Sequence, residues 1–163
     1  MQNMNKGTRT AEQPLGDGTV HRENVGNEIL HRTLYLCELL HKHGSFFTLE
    51  NPLSSFAWKI PRMRKMLAAC RCAVADLDQC EYGLKIPDKF GIWGLAKKPT
   101  KFLGTMPNIG FLARKCSKQH DHIAVLGGVK VQGKWQKRSQ LAGSYPKRLC
   151  EAYAKAFEHS FTC

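Results

Sequence analysis

Apolar and polar positions change period several times along the chain, and each change marks an element. From Asn24 to His43, Val25, Ile29, Leu30, Leu34, Leu36, Cys37 and Leu40 recur at helical spacing, and Gly44 ends the run. Phe46-Phe47-Thr48-Leu49 follows as a short β-rich stretch that stops at Glu50-Asn51-Pro52. Ser54 to Trp58 reads as a turn or half helix. Pro61 to Cys70 sets Met63, Met66 and Leu67 at helical spacing behind a first-turn proline. Cys72-Ala73-Val74-Ala75-Asp76-Leu77 is the next strand, and Gln79 to Gly83 leads it into a turn. Pro99 to Met106 and His122 to Leu126 are further strands, with a short helix over Ile109 to Lys115 between them. From Ser144 or Pro146 to Phe161, one face carries Leu149, Cys150, Tyr153, Ala154, Phe157 and Phe161, which predicts an amphipathic helix. Residues 84–98 and 129–137 read as exposed basic loops, and residues 1–23 as a flexible polar arm.

A helix, a glycine turn and a buried strand in succession predict a layered α/β fold. The chain of 163 residues has room for one core, placed over residues 24–163 behind the arm. No apolar run approaches the roughly 18 residues that a membrane span needs, so no membrane partner is expected.

Charge narrows the class of partner. There are 25 Lys and Arg against 13 Asp and Glu, a formal net charge of +12. Such an excess favours a polyanion, because each neutralised phosphate releases counterions. Lys85, Lys89, Lys97, Lys98, Lys101, Arg114, Lys115 and Lys118 form one basic stretch. Lys130, Lys134, Lys137, Arg138, Lys147 and Arg148 form a second, with no acid among them. Trp93, Trp135 and Tyr145 are interleaved, and aromatics beside cations can stack bases. The plain alternative is a pair of solvated faces.

Seven Cys, an odd number with no secretory signal ahead of them, predict reduced thiols and an intracellular setting. That setting is cytoplasm or nucleus, in a host cell if the chain is viral. Cys116-x3-His120-x-His122 brings zinc-competent residue types to short spacing, and Cys70-x-Cys72 or Cys80 can supply further ligands. The spacing is not a standard finger pattern, so a polar surface turn with one packed Cys fits it as well. His41 and His43 close a helix, where a cation suits the dipole.

Glu50 ends an apolar strand, the place where open α/β sheets bind ligands. Tyr82-Gly83, then Lys97-Lys98-Pro99-Thr100, then Gly143-Ser144-Tyr145-Pro146 follow in order. Over roughly residues 27–160 this order resembles the DNA (cytosine-5) methyltransferases, in the divergent form of phages and mobile elements. The resemblance implies the C-terminal, DNA-binding half of an incomplete Rossmann-like, class I methyltransferase-type sandwich, with about four or five strands and flanking helices. It implies that Glu50 contacts a flipped cytosine. It places Asn51, Lys97, Lys98 and Thr100, with Lys101 beside them, along the nucleic acid; the charge runs add Lys130, Lys134, Lys137 and Arg138 as phosphate contacts, with DNA preferred to RNA.

The chain also departs from that family. Lysines stand where the family has arginines, and lysine cannot make the bidentate contact. The Pro-Cys nucleophile is missing, since Cys37 sits mid-helix with no proline beside it. So is the glycine-rich strand–turn–helix that cradles S-adenosylmethionine, because Gly16-Asp17-Gly18 follows no strand. Under the resemblance, that cofactor and methyl transfer would require an upstream polypeptide to complete the site, and this chain alone would be inactive. A non-enzymatic nucleic-acid-binding module, with or without zinc, or a structural subunit of a larger assembly are the other readings.

Overall fold

A computed structural model describes residues 7–161. Its centre is a three-stranded sheet in the order β1-β5-β2, formed by β1 (Thr48–Pro52), β2 (Ala73–Asp78) and β5 (Pro99–Gly104). β5 pairs antiparallel with both neighbours, so β1 and β2 run in the same direction on either side of it. Helices α1 (His21–Lys42) and α2 (Pro61–Ala69) cover one face. The 3₁₀ turn Pro107–Leu112 and α4 (Lys147–His159) cover the other.

The side-chain alternation of β5 accounts for the layers, because successive residues point to opposite faces. Leu103 sits with Leu34, Cys37, Phe47, Ile60, Met63, Met66 and Cys70 beneath α1 and α2. Phe102 sits with Ala75, Leu77, Tyr82, Met106, Ile109, Leu112, Leu149 and Ala156 beneath α4. Cys37 is thus a core residue, and burial pushes its thiol up to about 11. Gly104, paired with both Thr48 and Ala73, lies so close to the Phe47 carbonyl that a side chain there would collide with backbone.

The mixed α/β layering agrees with the sequence pattern, but the strand directions depart from a Rossmann-like fold, whose sheet is mostly parallel. The connection explains why. Between β2 and β5, residues 79–98 hold no α-helix to carry the chain back along the sheet. β5 therefore starts near the end where β2 finishes and runs the other way. Among the described residues the central sheet has three strands, not four or five.

The two expected basic loops contain hairpins instead. β3 (Lys85–Pro87) pairs with β4 (Trp93–Leu95), and β6 (Gly128–Val131) with β7 (Lys134–Lys137). Leu84, Ile86, Ala96 and Ala142 form a small third core there, joined by Ile123 and Val125. His122 to Leu126, expected as a strand, has no strand geometry. The short α3 (Arg138–Leu141) follows β7.

The arm expected over residues 1–23 is shorter, since α1 begins at His21. Among the described residues of that arm, Thr8 and Arg9 are tied to the helix. Thr8 donates its hydroxyl to the Glu23 carboxylate (2.6 Å), and Arg9 reaches the Glu23 carbonyl (3.0 Å) and Asn27 Oδ1 (2.7 Å). No described helix is long and apolar enough to cross a membrane.

Candidate metal centre and nucleic-acid surface

Two segments far apart in sequence meet at the end of β2. Cys80 lies in the 3₁₀ turn Gln79–Tyr82 that follows the strand, and Cys116, His120 and His122 lie beyond the turn Pro107–Leu112. The backbone sets the meeting: Asp78 N–H donates to the Arg114 carbonyl (2.8 Å), and Asp78 Oδ2 accepts from Cys116 N–H (2.9 Å). Glu81 accepts from Ser117 N–H (2.8 Å), and Lys97 Nζ stands 3.6 Å from Asp78 Oδ2. The carboxylates of Asp78 and Glu81 thus fasten the loop from both sides.

One donor atom from each of Cys80, Cys116, His120 and His122 lies within 4.8 Å of all the others. Cys116 Sγ is 3.6 Å from His120 Nε2 and 3.5 Å from His122 Nε2. A tetrahedral zinc with bonds of about 2.3 Å to sulfur and about 2.1 Å to nitrogen would hold such a pair about 3.6 Å apart. The spacing of Cys116 from both imidazoles therefore matches the ion, and the cluster can hold a metal ion. Burial, and then the neighbouring Cys116 sulfur, push the Cys80 thiol up to about 12. A bound cation would reverse that, because a coordinating thiol is deprotonated.

The sequence names three of the four ligands and leaves the fourth among Cys70, Cys72 and Cys80. The fold selects Cys80. Cys70 and Cys72 belong to the core under α1 and α2, on the other side of the sheet from α4. The gap from Cys80 to Cys116 carries no motif; its closure depends on the edge of β2.

The expected nucleic-acid residues fall into separate groups. Glu50 stands opposite Phe102 in the ladder, and its carboxylate acts on the Tyr145 hydroxyl. Burial, and then the Glu50 carboxylate, raise the Tyr145 phenol above its ordinary value. Lys98 Nζ lies 5.5 Å from the centre of the same ring and donates to the Ala142 carbonyl (3.0 Å). Glu50 and Lys98 thus meet at Tyr145, beside an opening of about 240 Å³ lined by Phe102, Tyr145, Leu149, Cys150 and Tyr153. Lys97 turns away to Asp78 at the metal cluster.

Thr100 is fully buried, accepting from Gln79 Nε2 (2.9 Å) and donating to the Lys98 carbonyl (3.0 Å), so its hydroxyl is used inside the protein. Lys101 is paired with Asp76 (2.7 Å). Asn51, opposite Lys101 in the ladder, lines a cavity of about 300 Å³ with Arg9, Leu30 and Met63. Lys130, Lys134 and Lys137 are exposed on the β6–β7 hairpin, and Arg138 is half-buried against Gly127. Trp58 packs at the end of β1, donating its indole N–H to the Pro52 carbonyl (2.9 Å).

Set beside protein-family models, curated proteins and solved structures, the chain matches none of them.

Proposed function

We propose that this protein is a nucleic-acid-binding domain in which a zinc ion, held by Cys80, Cys116, His120 and His122, organises a basic loop. The observation that carries the reading is that three of the donors share one loop with Arg114, Lys115 and Lys118, in a chain of net charge +12. Two thiolates and two imidazoles suit zinc among the common biological cations. Four protein ligands make the site a closed, structural one, with no position left for a reacting water. The ion would tie the turn after β2 to residues 116–122, which have no helix or strand of their own. Two thiolates also balance the charge of the ion, so the basic character of the surface is kept, although Lys115 is drawn to Asp76 (3.8 Å) and Arg114 lies over the Tyr82 ring (5.0 Å).

Two measurements test this. Purified protein should carry close to one zinc per chain, and less than a tenth of an equivalent would overturn the metal part. Affinity for an oligonucleotide should fall steeply with salt. Exchanging Lys130, Lys134 and Lys137 for Gln should flatten the slope by about one unit for each phosphate no longer neutralised. A flat salt dependence in the unaltered protein would instead favour a structural subunit meeting a protein partner.

A second reading, the target-base half of a cytosine methyltransferase-like site, is favoured by the meeting of Glu50 and Lys98 at Tyr145. The antiparallel sheet counts against it. Glu50→Gln would then weaken capture of an extrahelical cytosine and leave binding of undistorted duplex unchanged. Equal effects on both would remove this reading. S-adenosylmethionine does not fit the residues present. Among the described residues no strand precedes Gly16, and its loop is filled by the Glu23 carboxylate and Thr8.

A further inference from the structure

The β6–β7 hairpin has two unlike faces. Directly opposed residues of an antiparallel pair share a face, and alternate residues change face. The register opposes Gly128 to Lys137 and Lys130 to Trp135, so these four residues lie together. Val129 and Val131, opposed to Gln136 and Lys134, form the other face, and Val129 is buried. The Gly128 face looks outward, with Lys130 and Lys137 exposed and Trp135 72% exposed.

The indole is seated. A Cβ at Gly128 would come within 2.6–2.8 Å of Trp135 Nε1, Cε2 and Cζ2, so the ring lies across the place where residue 128 has no side chain. Glycine at 128 therefore lets the ring rest along the hairpin, on the face that also carries Lys130 and Lys137, with much of its surface open to water. From Ile123 to Cys150 the chain has six cations and no carboxylate, so the surroundings suit a polyanion and repel a basic partner.

We propose that Trp135, seated on Gly128 and flanked by Lys130 and Lys137, is a stacking platform for an unpaired base of a single-stranded nucleic acid. The proposal rests on the nucleic-acid reading above and narrows it. Bases inside a duplex already stack on both sides, whereas an unpaired base has a π-face to offer. The lysines then lie within reach of the phosphates on either side of that base.

The experiment compares an unstructured oligothymidylate, the matching oligouridylate and a duplex of the same length, using the full chain and fluorescence anisotropy. Trp135→Ala should weaken both single strands by roughly five- to 150-fold, the worth of one stacked base. It should change duplex affinity less than about twofold by the same reasoning. Trp135→Phe should restore most of the loss. Gly128→Ala, which keeps the indole but unseats it, should fall between. Binding should quench tryptophan fluorescence in the parent protein and far less in Trp135→Ala, although Trp58 and Trp93 remain. Equal losses on single strand and duplex, or no loss on either, would overturn the platform. If Lys130→Gln with Lys137→Gln lowers affinity while Trp135→Ala does not, nucleic-acid binding stands and the platform falls. If the parent protein binds none of the three, both readings fall together.

Discussion

Leu103 is fully buried at the middle strand of the sheet, beneath both helices of its layer. Truncating such a side chain removes buried surface and leaves a cavity, so Leu103→Ala should cost roughly 2–5 kcal/mol in chemical denaturation. Its neighbour Gly104 fails for another reason. Gly104→Ala drives a Cβ into the Phe47 backbone, and the expected result is loss of pairing at that end of β1, read as faster amide exchange at Phe47 and Thr105. Glu23 carries a pH dependence. The Thr8 hydroxyl, more than any other group, holds its carboxyl below the ordinary value of 4.5. The stability contributed by the ionised form is complete above that value and is lost as pH falls through the lowered one. Protection of residues 8–24 should therefore drop in acid, and Glu23→Gln should abolish that particular step.

Elements differed in how far their sequence announced them. α2 and α4 were readable because their apolar residues recur along one stripe, α1 because its apolar residues keep helical spacing although Val25, Ile29, Leu36 and Leu40 stay exposed, and β2 because it is a compact apolar run between turns. The hairpins at 85–95 and 128–137 were not. The first buries Ile86 and Pro87 and the second Val129 alone, while β4 and β7 bury no residue, so no alternating pattern of useful length exists. The same limit applies to the cluster of Cys80 with Cys116, His120 and His122. Three ligands share a short motif, while the fourth is placed by the Asp78–Arg114 backbone bond. Stripping zinc from loaded protein with a chelator should accelerate exchange at Ser117 and Lys118 and leave the β2–β5 ladder protected. Unchanged exchange at both residues would mean that the ion does not hold this loop.

At the scale of the molecule, the three layers follow from β5 being buried on both faces, and that much of the architecture was contained in the alternation of strand and helix. Strand direction was not, because it depends on a connection that lacks an α-helix. Nor was the separation of Lys97 from Lys98: adjacent residues ahead of a strand point to opposite sides, so one serves Asp78 and the other Tyr145.

The strand order also has a consequence for synthesis. β1 and β2 are made first and do not touch in the finished ladder; the strand that joins them comes later, at residues 99–104. A nascent chain emerging from the ribosome therefore holds two unpaired strands until the third clears the exit tunnel, and assembly of the centre waits for it. A fragment ending at residue 98 should show helix but no cooperative unfolding, whereas one extended past the turn Pro107–Leu112 should begin to recover it.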